Sequence, residues 1–119
     1  MPIKNTHLTV AHDNERLAGQ LNLDIAPARG WASTMYFYAA LHYVEAFLSV
    51  SGVHSADHRT RDGNLCRHNE TMKIYDEFCE LKNISTNARY YGRYPSKTDI
   101  SVEVMPSLQS VKAEMEKYL

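Results

Sequence analysis

The run Trp31-Ala32-Ser33-Thr34-Met35-Tyr36-Phe37-Tyr38-Ala39-Ala40-Leu41-His42-Tyr43-Val44-Glu45-Ala46-Phe47-Leu48 constrains the fold more than any other part of the chain. It is a nearly uninterrupted helical stretch of aromatic and small residues. Trp31, Met35, Tyr38, Leu41, His42, Glu45 and Leu48 fall on one stripe, and Phe37, Val44 and Phe47 widen the apolar face. A helix apolar over so much of its circumference belongs at the centre of a bundle or at a subunit interface, and its aromatic excess favours an interface. Pro27 suits the first turn and Gly52 the stop, so the spacing predicts a helix over 27–51.

The flanking segments supply partners for that spine. Leu8, Ala11, Leu17, Ala18 and Leu21 recur at helical spacing and predict a first helix over 6–21. Asp57 can cap a short third helix, which Asp62-Gly63-Asn64 should weaken or break. A fourth helix is expected from Asn69 or Thr71 to Tyr91, with Ile74, Phe78, Leu81, Ala88 and Tyr91 inward and Gly92 as terminator. Residues 93–105 read as a polar connection, with Ile100, Val102 and Val104 alternating in an extended, packed segment. Pro106 then opens a last helix to Tyr118, with Leu108, Val111 and Met115 inward. The expected architecture is all-α: an antiparallel up-and-down bundle of four long helices plus a short one, in a single domain over residues 1–119.

Composition narrows the class. A chain of 119 residues, 44% hydrophobic and 23% charged, can bury one core without metals or disulfides as staples. No apolar run approaches the roughly 18 residues of a membrane span, and the N-terminus lacks a signal-like apolar core, so a cytoplasmic protein without membrane contact is expected. The two cysteines, Cys66 and Cys79, form no Cys-x-x-Cys pair and are expected as free thiols. A net charge of -1 argues against strong sequence-independent binding to nucleic acid. Residues 54–97 are mildly basic, with eight Lys/Arg against six Asp/Glu and three histidines.

Chemistry concentrates in Arg61-Asp62-Gly63-Asn64-Leu65-Cys66-Arg67-His68. An arginine and a histidine seven apart lie on one helical face. The imidazole can move a proton to or from a ribose hydroxyl, and the guanidinium can grip a phosphate whose charge grows in the transition state. The same spacing suits a histidine that merely hydrogen-bonds at a helix start, in phase with Leu65, Met72 and Tyr75. Arg89, Tyr90, Tyr91, Arg93 and Tyr94 form a basic-aromatic cluster able to stack a base and touch a phosphate, or to seal the end of a bundle. His42 and Glu45 share a helical face and read as a buried pair. His54 and His58 are four apart but lack a clear third ligand, so no metal is expected. With no phosphate-binding loop, dinucleotide fingerprint or nucleophile elbow, no cofactor is expected either.

The order of these elements resembles the HEPN family of small helical bundles: a tyrosine-rich second helix (Tyr36-Phe37-Tyr38-Ala39-Ala40-Leu41-His42), the His/Arg segment, and a helix ending in Ser85-Thr86-Asn87-Ala88-Arg89-Tyr90. The resemblance covers roughly residues 6–119. Catalytic members carry an Arg, usually a polar residue after it, then four to six residues and a His, and Arg61, Asp62 and His68 match with five residues between Asp62 and His68. Carried over, Arg61 would bind the phosphate, His68 would transfer the proton and Asp62 would orient Arg61, giving a metal-independent endoribonuclease. The other implied function is a non-catalytic module for RNA, a nucleotide or a protein partner such as an antitoxin, in a toxin or defence setting. Arg59, Arg67, His58 and His42 around the motif, with Arg89 and Tyr90, are the further candidates for holding such a ligand. The family also implies a homodimer with both motifs in one cleft. Gly63 within the motif and the long 93–105 connection depart from the pattern.

Overall fold

The computed structural model describes residues 3–53, 55 and 57–119. Its helices are α1 (Lys4–Ala18), α2 (Ala26–Val50), α3 (His58–Arg67), α4 (Asn69–Met72), α5 (Tyr75–Tyr91), α6 (Lys97–Asp99) and α7 (Met105–Glu116), with a π-helical turn, Ile100–Val104, joining the last two. No strand occurs among the described residues, and no helix there is long and apolar enough to cross a membrane.

The spine is intramolecular. α2 is overlaid by α1, α5 and α7, and its buried residues run from Gly30 to Leu48 around most of its circumference. This burial within the chain accounts for the apolar character that the sequence alone left shared between a core and an interface. Its exception is Trp31, which lies 58% exposed rather than on an inward stripe. α2 and α5 run antiparallel, with Gly30 opposite Ala88, Ser85 Oγ donating to Thr34 Oγ1 at 3.1 Å, and Phe37 against Phe78 at 5.6 Å between ring centroids. The Tyr43 hydroxyl donates to Glu15 Oε2 at 2.8 Å, and Lys112 reaches the same carboxylate at 3.4 Å, so one acid ties α1, α2 and α7 together.

Several boundaries and faces differ from expectation. α1 ends at Ala18, and Leu17 is exposed. The expected fourth helix is split by a turn at Lys73–Ile74, and Tyr91 is 67% exposed instead of inward. α3 is continuous across Gly63. Asn64 directs its amide to Ser55 Oγ at 3.1 Å instead of competing for the helix backbone, and Asp57 accepts from the Thr60 N–H at 2.7 Å as an N-cap. Asp57→Ala should lower hydrogen-exchange protection in α3 about five-fold and leave α2 unchanged, because the cap supports only that helix. Equal loss in both helices would contradict this.

The largest correction concerns residues 97–105, which are helical rather than extended. Ser96 and Asp99 form a reciprocal capping box, each side chain bonding the other's backbone N–H at 3.0 and 2.9 Å. Ile100 and Val104 are buried four residues apart, while Val102 between them is 61% exposed, a helical face. The wide π-turn falls just before Pro106, where the missing N–H and the ring's approach to the carbonyl four residues back would otherwise break a helix.

Candidate functional site

α3 contributes only one apolar residue to the core, Leu65. Its other buried residues are Arg61 and Asn64, so polar contacts do much of its docking. Arg61, 9% exposed, donates from Nε to Glu45 Oε1 of α2 at 2.6 Å and from Nη1 to His58 Nδ1 at 2.9 Å. A guanidinium has no acceptor, so His58 Nδ1 must carry its lone pair toward Arg61 and its proton must sit on Nε2. Burial, then the Arg61 and Lys82 charges, hold the His58 pKa below the ordinary histidine value. His58 is therefore a neutral imidazole at the exposed edge of the cluster, offering an N–H donor.

A pair of imidazoles lies within reach of the Arg61 charge. His42 Nδ1 and His7 Nδ1 are 3.0 Å apart, one donating to the other, and the rings are 5.2 Å apart. Burial, then the positive charge of His7 and of Arg61, lowers the His42 pKa to about 4, against a small opposing effect of Glu45. His42 and Glu45 thus reach to different helices rather than to each other. His7, on α1, completes a polar core of His7, His42, Glu45, Arg61 and His58 that the sequence reading did not assemble; its helical phase with Ala11 and Ala18 was the available signal.

The expected catalytic trio is placed differently from the pattern. Asp62 does not hold Arg61; it pairs with Lys82 of α5 at 2.9 Å, and Glu45 holds the guanidinium instead. Arg61 is buried rather than open to a cleft. His68 is half-buried between α3 and α4, its ring edge-on to Phe47 with centroids 6.0 Å apart, and its Nδ1–H donates to the Asn64 carbonyl at 2.8 Å. That bond leaves the Nε2 lone pair as the free function of the ring.

Arg59 and Arg67 are exposed on α3, and Arg67 folds back over Gly63, its Nη2 3.9 Å from where a Cβ would stand. Arg89 lies over the Tyr90 ring at 5.1 Å and Arg93 over the Tyr91 ring at 5.8 Å, with Tyr90 70% exposed. Among the described residues Arg59, Arg67, Arg89 and Arg93 take part in no ion pair, whereas Arg61, Lys82, Lys97 and Lys112 each have a carboxylate. No cluster of three or more metal-ligating side chains occurs among the described residues; His54, four residues before His58 in the sequence, lies outside them. Cys66 and Cys79 are free thiols.

Comparison of the chain with protein-family models, curated proteins and solved structures finds no match.

Proposed function

We propose that the chain is a HEPN-like helical module that binds RNA or a nucleotide, acting as a homodimer. Within that reading α1, α2, α5 and the helical run 97–116 are the four long helices of an antiparallel bundle and α3 is the short one. The observation that carries the reading is the set of arginines without carboxylate partners, Arg59 and Arg67 on α3 and Arg89 and Arg93 at the end of α5, beside exposed tyrosines. Arginine forks free of internal anions can take phosphates, and neighbouring aromatic faces can take bases. His58 adds an exposed N–H donor to the same surface. The resemblance supports the further elements: a second copy as partner, an antitoxin-like protein as another, and a cytoplasmic toxin or defence setting.

Metal-independent cleavage is the second reading, and the tautomer of His68 favours it: with Nδ1–H held by a carbonyl, Nε2 is placed to act as a base. Binding is preferred because Arg61, the phosphate ligand that cleavage requires, is turned inward onto Glu45.

The test is anisotropy of a labelled single-stranded RNA of about eight nucleotides, titrated with protein at several salt concentrations. Binding should weaken with salt, and Arg59→Ala or Arg67→Ala should each flatten the log–log slope by about 0.7. Sedimentation should show a dimer. Absence of binding at low salt, or slopes unchanged in both variants, would overturn the proposal.

A further inference from the structure

A surface pocket of about 110 Å³ opens between the start of α2 and the end of α5, lined by Pro27, Gly30, Trp31, Ala88, Arg89 and Tyr94. Its construction is traceable to the sequence. Gly92, in the left-handed region at φ 64°, ends α5 and turns the chain back. Arg29 then clamps the returning segment, donating from Nε to the Pro95 carbonyl at 2.8 Å and from Nη1 to the Leu23 carbonyl at 2.9 Å. The clamp lays the Tyr94 ring against α2 where Gly30 leaves room: a Cβ on Gly30 would stand 2.7 Å from Tyr94 Cδ1 and 3.3 Å from the Ala88 Cβ. Trp31, 58% exposed, and Tyr94, 45% exposed, are thus rings held at an open pocket instead of being packed inside.

Arg89 supplies the charge. Its Nε makes one long contact to the Ser85 carbonyl at 3.4 Å, and no carboxylate among the described residues pairs with it. The pocket therefore joins two aromatic rings to an unneutralised guanidinium. Its volume is well below the roughly 300–1,000 Å³ of a site that engulfs a whole small molecule. It suits one planar ring, with the rest of the ligand on the rim.

We infer that this pocket is a nucleotide subsite: the base enters against Trp31 and Tyr94, and its 5′-phosphate lies on Arg89. Aromatic faces accept any base, so the subsite selects a nucleotide without selecting its sequence. The inference rests on the reading of the chain as a nucleotide binder and names where the base is held. The ligand chemistry is shared by a free mononucleotide and by an unpaired nucleotide within a strand.

Trp31 is the only tryptophan in the sequence, so its fluorescence reports on this pocket directly. The experiment titrates the full chain with adenosine 5′-monophosphate and, separately, with an oligoadenylate of about eight nucleotides, reading tryptophan quenching and, for a labelled oligomer, anisotropy. Saturable quenching is expected, with Arg89→Ala and Tyr94→Ala each weakening it about 5- to 100-fold. Circular dichroism matching wild type would confirm that the variants are folded. Quenching by the mononucleotide as tight as by the oligomer identifies a free nucleotide as ligand; quenching at least tenfold tighter with the oligomer identifies a strand. Both results support the subsite. No quenching by either ligand up to about 1 mM, or quenching that both variants leave unchanged, overturns it. An anisotropy rise without quenching would overturn the subsite while leaving the RNA-binding proposal intact.

Discussion

Arg61→Ala should destabilise the fold by about 3–5 kcal/mol, because it strands the Glu45 carboxylate in the interior without its cation. Glu45 is 4% exposed, and its one ion pair among the described residues is the 2.6 Å contact to Arg61 Nε. The same change removes the donor to His58 Nδ1 and leaves α3 docked by Leu65 and the Asp62–Lys82 pair. In a domain of this size the loss corresponds to a fall in Tm of roughly 10–20 °C. Glu45→Gln should cost less, since an amide oxygen can still accept from Arg61. Replacing both residues by methionine should recover most of the loss, as commonly happens when a buried ion pair gives way to apolar packing. Urea unfolding of wild type and the three variants decides the matter. A loss below about 1 kcal/mol for Arg61→Ala would mean that the guanidinium is not held on Glu45 in solution.

Stability should also fall on acidification from pH 6.5 toward about 4, through His42. In the unfolded chain this imidazole takes up a proton near the ordinary histidine value of 6.5, whereas in the folded state it resists until about 4. Between those values the unfolded state holds more protons, so acid favours unfolding. The contribution is fully present above pH 6.5, declines as pH falls, and stops changing below about 4. A depression of that size corresponds to about 2–3 kcal/mol, allowing for partial solvent access. The His7–His42 bond accommodates one proton but not two, because two Nδ1–H groups would then face each other. His58, whose pKa is also lowered, should add to the decline. The check is the urea midpoint measured from pH 7.5 to 4, in wild type and in His42→Gln, whose profile should be flatter. A wild-type midpoint constant between pH 6.5 and 4.5 would contradict a buried, neutral His42.

Particular residues show where sequence reading succeeds and where it stops. Phe37, Leu41, Val44 and Leu48 announced the spine because burial on several faces leaves an unbroken apolar record. Ile100, Val102 and Val104 misled because three residues spaced by two match a strand and do not exclude a helix in which only the outer two are buried. The Ser96 and Asp99 capping box, three residues apart, was the competing local signal. Trp31 misled for another reason: its helical phase matches inward residues, but it lies near the start of α2, on the rim of the pocket it shares with Ala88, Arg89 and Tyr94, and stays 58% exposed. Arg61 and His68 were legible as a pair in sequence, but partner choice was not. Whether Arg61 meets Asp62 beside it or Glu45 sixteen residues earlier depends on how α3 docks, and that rests on Leu65 and on α2. His7 showed its burial through its helical phase with Ala11 and Ala18 but not its partner, since only the packing of α1 on α2 brings it to His42.

The polar core and the arginine surface assign different tasks to residues that looked alike in sequence. Glu45 and Arg61 hold α3 in place and His42 meets α1, while Arg59, Arg67, Arg89 and Tyr90 remain available to a ligand. On this account the module binds RNA without cutting it. One measurement tests that claim most directly: labelled single-stranded RNA incubated with the protein in excess EDTA, read for anisotropy and then for length on a denaturing gel, beside Arg61→Ala and His68→Ala. The account predicts a bound, full-length strand with wild type and with His68→Ala. Cleavage by wild type that both substitutions abolish, in variants still folded, would contradict it and establish Arg61 and His68 as the centre of a metal-independent ribonuclease.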